Sequence, residues 1–316
     1  MRILITGGLG YVGGRIVNHL LSANTELTID ISSRRKVDVQ EIFNSNRVFL
    51  IEAENLFDNQ FPLQNEYDAV IHLAATNETD ALLNPAESIK VNIYNSQILL
   101  QKAISNRVKR FIYFSTAHVY GAPLKGVIHE EVCPKPIHPY AITHKAFEDF
   151  VWAAHQKNEI EGVIVRLSNS FGAPVMPDVN RWTLLVNDLC RQAATHKKLV
   201  LKSSGKQQRD FITLEDVAAA TEHLLKIPHQ LIGDAVFNLG GNSVYSIYEM
   251  AKMIQERAVY KLKMDIPIER PAVDETETVL PLDFQSKKMA STGFTWKNNS
   301  VAEIDALLEF CLKHFQ

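Results

Sequence analysis

The glycine-rich segment near the start of the chain constrains the fold more than any other part of the sequence. Residues 1–5 include three aliphatic side chains and read as a buried strand, residues 6–14 read TGGLGYVGG, and residues 16–21 have the apolar spacing of a helix. Glycines between a strand and a helix allow a tight turn and bring backbone N–H groups close to an anion at the helix N-terminus. The segment therefore predicts a site for the pyrophosphate of a dinucleotide. The predicted loop residues are Gly7, Gly10, Tyr11, Val12 and Gly13.

The second predicted strand bears on the choice of dinucleotide. It covers residues 26–30 and ends at Asp30, seventeen residues after Gly13. A carboxylate there can accept hydrogen bonds from the adenosine ribose hydroxyls and repels a 2′-phosphate, so NAD(H) is favoured and NADP(H) is the less favoured alternative. Arg34 and Arg35 follow; they either serve a phosphate or, in the preferred interpretation, are solvated surface charge.

Alternating short aliphatic runs and amphipathic stretches predict the fold class. The predicted strands are 2–6, 26–30, 47–51, 69–73, 110–115 and 162–167, and the predicted helices are 12–22, 86–105 and 139–158. This alternation implies an α/β fold, a doubly wound parallel sheet of the Rossmann type. We expect a dinucleotide-binding Rossmann domain over residues 1–167, with residues 236–243 returning to its sheet. Residues 168–316 are expected to form mainly a smaller, interleaved substrate-binding domain.

The bulk composition excludes several classes of function. The chain has 316 residues, is 46% hydrophobic and carries a net charge of −3. It therefore shows no basic footprint for nucleic acid, and no apolar run approaches the roughly 20 residues of a membrane helix. The apolar start stops at Ile5, unlike a signal peptide. Cys133, Cys190 and Cys311 lack metal-type spacing and read as reduced thiols, so we expect a cytoplasmic protein without a metal site.

Two segments carry the signal for chemistry. Residues 115–121 read STAHVYG at the end of a predicted strand, where a doubly wound sheet presents ligands. Residues 138–148 read HPYAITHKAFE, in which Pro139 suits the first turn of a helix. Tyr140 and His144 are four residues apart and therefore share one face of that helix.

With these residues the chain resembles the extended short-chain dehydrogenase/reductase family. The match is closest to its nucleotide-sugar branch, which contains NAD-dependent 4-epimerases, 4,6-dehydratases and 4-ketoreductases. The resemblance covers essentially the whole chain. Further matching segments are NLFD at 55–58, HLAA at 72–75, VN at 91–92, RLSNSFG at 166–172, QRDFI at 208–212 and FNLGG at 237–241.

The resemblance implies specific roles for individual residues. Tyr140 would be the acid/base that exchanges a proton with a sugar hydroxyl, and Thr116 would hydrogen-bond the same oxygen. Asn169 and Arg209 would hold the nucleotide diphosphate, work that suits an amide and a guanidinium. Besides the glycine loop and Asp30, the implied cofactor-binding residues are Asn55, Leu56, Leu73, Ala74, Ala75, Asn92, Ser115, Tyr140 and His144.

The resemblance also implies a homodimer. In the family, the helices corresponding to 86–105 and 139–158 pair between two subunits into a four-helix interface. The apolar side chains of these helices could equally pack inward in a single chain. They include Ile89, Ile93, Ile98, Leu99, Phe147, Phe150 and Val151.

His144 departs from the family pattern, which has a lysine four residues after the tyrosine. Three interpretations remain open. In the preferred one, His144 hydrogen-bonds the nicotinamide ribose in place of the lysine, although a histidine with an ordinary pKa is mostly neutral at pH 7. In the second, a helix irregularity admits Lys145. In the third, the site is impaired or has been put to another use.

His118 is a second departure. Ala117 and His118 stand where the 4,6-dehydratases carry an Asp-Glu pair, so we do not expect dehydration. His118 either contacts a sugar hydroxyl, which is preferred, or shuttles a proton at the carbon next to a transient ketone. The acidic stretch at 272–278 stands where the family often has an arginine. Either the nucleotide binds in a different position from that in the family, or Lys287 and Lys288 contribute to binding its diphosphate.

These observations predict hydride transfer at C4 of a nucleotide-activated sugar, by a 4-epimerase or a 4-ketoreductase. A dehydrogenase of a non-nucleotide sugar acid or alcohol is one alternative, against which Asn169 and Arg209 argue. A non-catalytic dinucleotide-binding scaffold or sensor is another, and the change at His144 permits it.

Overall fold

The computed structural model describes residues 1–60, 62–272 and 276–315. The strands in these residues are β1 (Arg2–Thr6), β2 (Thr28–Ser33), β3 (Val48–Glu52), β4 (Ala69–His72), β5 (Arg110–Thr116), β6 (Gly126–Ile128), β7 (Glu161–Leu167), β8 (Asn169–Phe171), β9 (Leu199–Val200), β10 (Gln208–Thr213), β11 (Val236–Leu239), β12 (Val244–Ser246), β13 (Ile268–Glu269) and β14 (Leu282–Phe284).

The helices surround these strands. They are α1 (Tyr11–Ala23), α2 (Val39–Phe43), α3 (Ala53–Leu56), α4 (Glu78–Leu83), α5 (Pro85–Ile89), α6 (Ser96–Ser105), α7 (Pro139–Gln156), α8 (Leu185–His196), α9 (Leu214–Lys226), α10 (Ile247–Leu262), α11 (Lys287–Ser291) and α12 (Ser300–Phe315). A π-helical segment, Lys90–Asn95, joins α5 to α6, and short 3-10 turns lie at Ala117–Tyr120 and His229–Leu231. In the described residues no helix combines the length and the apolar character needed to cross a membrane.

A central sheet of seven parallel strands confirms the predicted fold class. Its order is β11-β7-β5-β4-β1-β2-β3. The chain moves outward from β1 in both directions, so the carboxyl ends of β1 and β4 flank the point at which the winding reverses, where doubly wound sheets bind ligands. The inner strands β1, β4 and β5 are buried on both faces, and Ile3, Leu4 and Ile5 are all 0% exposed. Residues 236–243 contribute β11, which pairs with β7 as predicted.

A second core lies among α8, α10 and α12, next to strands β8, β10 and β12. Leu189, Met250 and Leu307 belong to it and are no more than 1% exposed. The first core, however, also takes Val217 and Leu224 from α9, which packs on α1. The carboxyl half of the chain therefore contributes to both cores.

Two predicted boundaries differ from the structure in ways that affect the site. Strand β2 does not end at Asp30 but continues to Ser33, because Ser32 and Ser33 pair with the end of β3. The helix expected over 86–105 is divided by the π-helical segment. Backbone pairing with a neighbouring strand thus extends β2 through serines that have little intrinsic preference for strands.

Candidate active site

A cleft of about 1210 Å³ opens at the carboxyl ends of the central strands. It is larger than the roughly 300–1,000 Å³ of most small-molecule pockets, and so it has room for an extended ligand. Most of the residues predicted from the sequence line it. These are Gly7, Gly10, Tyr11, Val12, Gly13, Leu73, Ala74, Ala75, Ser115, Thr116, His118, Tyr140, His144 and Asn169.

The glycine loop forms one wall of the cleft. Gly7 has a φ of +72°, which favours glycine, and its carbonyl oxygen accepts a 2.8 Å hydrogen bond from the Gly10 amide. A Cβ on Gly13 would lie 2.2 Å from the same oxygen, so any side chain at that position would force the loop apart. Gly10 directly precedes α1, whose first backbone N–H groups therefore face the cleft and suit an anion.

Asp30 does not lie where the sequence predicted. Its side chain is 0% exposed in the middle of β2 and receives two hydrogen bonds from Arg2, at 2.9 and 2.8 Å. Since Thr6 at the end of β1 pairs with Ser32, the carboxyl edge of the sheet lies two residues beyond Asp30. The predicted role at the adenosine ribose is therefore wrong: Asp30 supports the fold.

Ser32, Ser33 and Arg34 line the cleft at the end of β2 instead. The Arg34 side chain is exposed, and it makes no hydrogen bond or ion pair with any residue that the structure describes. Arg35, in contrast, pairs with Asp178 at 2.5 Å. The sequence argument that favoured NAD(H) thus loses its basis.

Three further predicted cofactor residues also lie outside the cleft. Asn55 and Leu56 border a separate small pocket, and their carbonyl oxygens accept hydrogen bonds from Lys102. Asn92 is buried and links the backbone of Thr76 to the hydroxyl of Thr143 on α7. Their neighbours line the cleft in their place, namely Ala53, Glu54, Phe57, Lys90, Val91 and Asn95. In a helix, the position of a residue within its turn of three or four residues decides whether its side chain points into the cleft. A short sequence motif does not show that position.

Thr116 and Tyr140 meet in the cleft. Thr116 ends β5, Tyr140 lies in the first turn of α7, and both residues line the cleft. Burial and the nearby Glu78 carboxylate raise the pKa of the Tyr140 phenol well above its usual value, and Arg181 opposes this effect. The Tyr140 phenol is therefore protonated at neutral pH.

His144 lies directly beside Tyr140, with ring centroids 4.4 Å apart. Its Nδ1 is 2.6 Å from the Tyr113 hydroxyl, while its Nε2 is buried and has no hydrogen-bond partner among the described residues. Burial lowers the pKa of His144 to about 3, so the imidazole is neutral. Helix α7 is regular, and Lys145 pairs with Asp149 at 2.5 Å on another face, which removes the interpretation that places Lys145 in the site.

A buried ion pair supports the catalytic strand from below. Glu148 accepts hydrogen bonds from Ser115 at 2.6 Å and from Arg166 at 2.7 Å, and all three side chains are at most 5% exposed. The pair ties β5, α7 and β7 together. It therefore fixes the end of β5, on which Thr116 is placed.

The far end of the cleft carries charge that the sequence did not reveal. Glu78 and Arg181 both line it and form a 3.2 Å ion pair, although they are 103 residues apart in the chain. His118 is half-buried; burial lowers its pKa, Glu78 raises it, and Arg209 lowers it further. Arg209 thus lies near His118 without lining the cleft itself. No local pattern marks Glu78 or Arg181, since only the fold brings them together.

The acidic stretch at 272–278 falls partly outside the described residues. Val273, Asp274 and Glu275 lie outside the described residues. Lys288 pairs with Asp234 and donates to the Val236 carbonyl at 2.7 Å, so it is not available for a diphosphate. Within residues 1–60, 62–272 and 276–315, no three His, Cys, Asp or Glu side chains form a group that could hold a metal ion.

Two features of the cleft fit a nicotinamide dinucleotide. The glycine loop forms a cradle that a Cβ at Gly13 would fill, and His144, whose Nε2 is unpartnered within the described part of the chain, lines the same cleft. An unpaired buried polar group is costly, roughly 1–3 kcal/mol, so such a group is a strong indication of a missing partner.

Residues 3–240 match the model of the NAD dependent epimerase/dehydratase family. The chain belongs to this family. The resemblance inferred from the sequence is thereby confirmed.

Individual members of the epimerase/dehydratase family differ in their reactions. The dTDP-D-glucose 4,6-dehydratase of Homo sapiens is 27% identical over 262 residues, which are 79% of this chain and 72% of that protein. The UDP-glucose 4-epimerase of Thermus thermophilus in complex with NAD has a TM-score of 0.78 at 21% identity, covering 98% of this chain and 99% of that one. RMD from Pseudomonas aeruginosa, complexed with NADPH, has a TM-score of 0.76 at 21% identity, covering 99% of each chain.

The family model establishes the family and the solved structures establish the fold, but neither identifies the reaction. The two structures contain different dinucleotides, so they leave the choice between NAD(H) and NADP(H) open. The human relative is a dehydratase, and the exclusion of dehydration therefore depends on the residues of this chain alone.

Proposed function

We propose that this protein transfers hydride at C4 of a nucleotide-activated sugar, and that it acts as a 4-ketoreductase or a 4-epimerase. The observation that carries the proposal is that Thr116 and Tyr140 line one cleft together with the glycine loop. Asn169 lines the same cleft and Arg209 lies near His118, which suits a diphosphate at that end.

Tyr140 is the proton-transfer group in this reaction. A bound nicotinamide dinucleotide would supply or accept the hydride. Tyr140 would give its proton to the C4 oxygen in reduction and take it back in oxidation, while Thr116 hydrogen-bonds the same oxygen and fixes its place. Since burial and Glu78 raise the pKa of the phenol, Tyr140 carries its proton at neutral pH, and this is the form from which reduction of a 4-ketosugar starts.

The end of β2 supports NADP(H) as the cofactor. Ser32 and Ser33 offer hydroxyl groups at the edge of the cleft, and Arg34 offers a guanidinium that no other described residue engages. Charge-assisted hydrogen bonds from arginine are well suited to a 2′-phosphate, and no carboxylate of β2 reaches that edge to repel it. An exchangeable NADPH also agrees with a reductase.

Dehydration is not part of the proposal. Removing water across C5 and C6 requires an acid and a base beside Thr116, and the following turn provides Ala117 and His118 but no carboxylate. Glu78 is the carboxylate that raises the pKa of His118, and it forms an ion pair with Arg181.

The outer surface of the catalytic helix supports a homodimer. Ile142, Phe150 and Trp152 on α7 are 47%, 44% and 45% exposed, and the adjacent segment exposes Ile89 and Tyr94 at 54% and 57%. Exposed apolar side chains on neighbouring helices are typical of an interaction site, and a second copy of the same helices is its occupant in this proposal. Other apolar residues predicted for this interface pack inward at no more than 5% exposure, namely Ile98, Leu99, Phe147 and Val151.

The test is a panel of nucleoside-diphosphate 4-ketohexoses and hexoses with UDP, dTDP, GDP and CDP as carriers. NADPH or NADH is added, absorbance at 340 nm follows the cofactor, and mass spectrometry identifies the product. We expect a gain of two hydrogens for a reductase, unchanged mass for an epimerase, and loss of water in neither case. Tyr140→Phe should lower the rate at least about 100-fold. Tyr260→Phe, at a 58% exposed tyrosine on α10, is the matched control and should keep full activity.

Two results would overturn the proposal. One is the absence of any reaction with every carrier although the dinucleotide binds, which would leave a scaffold or a dehydrogenase of another substrate. The other is loss of water from the sugar, which would identify a dehydratase.

A further inference from the structure

The hydrogen bond between Tyr113 and His144 connects the central sheet to the catalytic helix. Tyr113 lies on β5 and is 2% exposed, and His144 lies on α7 and is also 2% exposed. The Tyr113 oxygen and His144 Nδ1 are 2.6 Å apart, and the two rings are stacked with centroids 5.8 Å apart. The sequence did not single out Tyr113, because it precedes the hydroxyl residues of the strand end.

Counting protons assigns the direction of this hydrogen bond. His144 is neutral and carries one N–H, and burial raises the pKa of Tyr113 so that its phenol keeps its proton. Among the described residues, the Tyr113 hydroxyl has His144 Nδ1 as its hydrogen-bond partner. If Nδ1 carried the proton, the hydroxyl hydrogen would be left buried without an acceptor. Tyr113 therefore donates, and the single N–H of His144 is on Nε2.

In this tautomer the unpartnered Nε2 of His144 carries the ring proton. Nε2 is fully buried, lacks a partner within the described ranges, and belongs to a side chain that lines the cleft beside Tyr140. As an N–H it is a hydrogen-bond donor, able to pair with a ribose hydroxyl oxygen. A lysine in this place would present a charge and three donors, whereas His144 presents one donor without charge.

Neighbouring elements hold Tyr113 in place. His72 on β4 stacks on it with centroids 5.7 Å apart, and Phe147 meets it edge-on at 4.8 Å. His72 is itself fixed by hydrogen bonds to Thr6 at 2.6 Å and Ser96 at 2.8 Å.

Among the described residues, the titratable groups around His144 include no cation. They are Tyr113, Tyr140 and the neutral His72, and Glu148 lies near Tyr113. Arg181, which lowers the pKa of Tyr140, is paired with Glu78. The donor that the site offers at His144 is therefore a neutral one.

We infer that Tyr113 is a positioning residue that holds His144 as the Nε2–H tautomer and directs one neutral donor to the nicotinamide ribose. The assignment of the tautomer stands on the contacts of the protein alone, and the ribose as its acceptor rests on the proposed function. Tyr113 acts through His144 and does not itself line the cleft.

The tautomer can be measured without turnover. Long-range ¹⁵N–¹H correlation spectra of the ¹⁵N-histidine-labelled protein distinguish the protonated from the bare ring nitrogen. The His144 signals are assigned by their loss in His144→Gln. We expect a protonated Nε2 and a bare Nδ1 in the wild type, and a mixture of tautomers in Tyr113→Phe. The protonation pattern of His72 should be unchanged in Tyr113→Phe, which verifies that the variant folds.

Dinucleotide affinity provides the second readout. We expect Tyr113→Phe to raise the Kd for the reduced dinucleotide about fivefold, measured by its fluorescence, because one neutral hydrogen bond is worth about 1 kcal/mol. His144→Gln, whose amide can also donate from this place, should change it less than His144→Ala. A protonated Nδ1 in the wild type overturns the inference, as does Tyr113→Phe with an unchanged tautomer and Kd. If the tautomer is as expected while no nucleotide sugar reacts, the proposed function fails and the tautomer assignment stands.

Discussion

At the scale of single residues, the site is decided by side chains one or two positions away from those that a motif indicates. Asp30 is paired with Arg2 inside the fold, and Ser32, Ser33 and Arg34 take the edge of the cleft in its place. His144 is neutral at a position where the family resemblance implies a charged lysine. Chemistry at this scale depends on which face of an element a residue occupies.

Arg34 gives a prediction at this scale. If it pairs with a 2′-phosphate, Arg34→Ala loses a charge-assisted hydrogen bond worth about 1.5–3 kcal/mol, which is roughly 10- to 100-fold in affinity. We expect the Kd for NADPH to rise by that factor and the Kd for NADH to stay within about twofold, both measured by fluorescence titration. Lys36→Ala is the matched control, since that side chain is 91% exposed and close by in the chain. Equal weakening of both cofactors would contradict a phosphate contact.

At the scale of elements, one face of helix α7 lies toward the site and the protein interior, and the other face is exposed. Thr143, His144 and Val151 face inward and are at most 3% exposed. The opposite face exposes apolar side chains, among them Phe150 and Trp152. A subunit interface on this face would brace the helix that carries the proton-transfer group.

Phe150→Glu tests whether this face joins two subunits. A charge in the centre of an apolar interface costs about 2 kcal/mol or more, so the dimer dissociation constant should rise at least about 30-fold. Light scattering after size-exclusion chromatography should show a dimer for the wild type and a monomer for the variant at low micromolar concentration. Val301→Glu, at a 47% exposed valine on α12, a helix that packs on α8 and α10, is the control and should remain a dimer. A monomeric wild type would refute the interface.

The elements of the Rossmann fold were predictable because their signals are local. Buried parallel strands read as aliphatic runs, and the glycine loop has a fixed spacing, so β1, α1 and β5 lie within one or two residues of their predicted bounds. The end of β2 was not predictable, since pairing with β3 extends it through two serines. Contacts between distant segments leave no pattern in the sequence either. The Glu78–Arg181 pair and the hydrogen bond of Tyr113 to His144 are of this kind.

At the scale of the whole molecule, ion pairs join the Rossmann part of the chain to its carboxyl half, and a buried polar cluster lies beneath the cleft. Arg35–Asp178 and Glu78–Arg181 reach from the Rossmann part to the loop before α8, and Arg15–Glu303 reaches α12. Beneath the cleft, His72 and His144 both stack on Tyr113. The stability of the whole chain therefore depends on two imidazoles that the fold keeps neutral.

Acid should unfold the protein through these two histidines. Burial lowers the pKa of His72 and of His144 to about 3, against an ordinary value near 6.5, so below pH 6.5 protons bind the unfolded chain first. The contribution of the two neutral histidines to the free energy of unfolding is fully present above pH 6.5. It declines as the pH falls toward 3, by roughly 1 kcal/mol per pH unit for each histidine once that histidine titrates in the unfolded chain. Urea unfolding at a series of pH values from about 7.5 down to about 5 measures this slope.

His144→Gln removes one of the two groups and should reduce the slope by that histidine's share. His314→Gln, at an exposed histidine on α12, is the matched control and should leave the slope as it is in the wild type. An identical slope in wild type and His144→Gln would mean that His144 titrates at the same pH in the folded protein as in the unfolded chain. At acidic pH a protonated His144 would then stand beside Tyr140 and lower the pKa of its phenol.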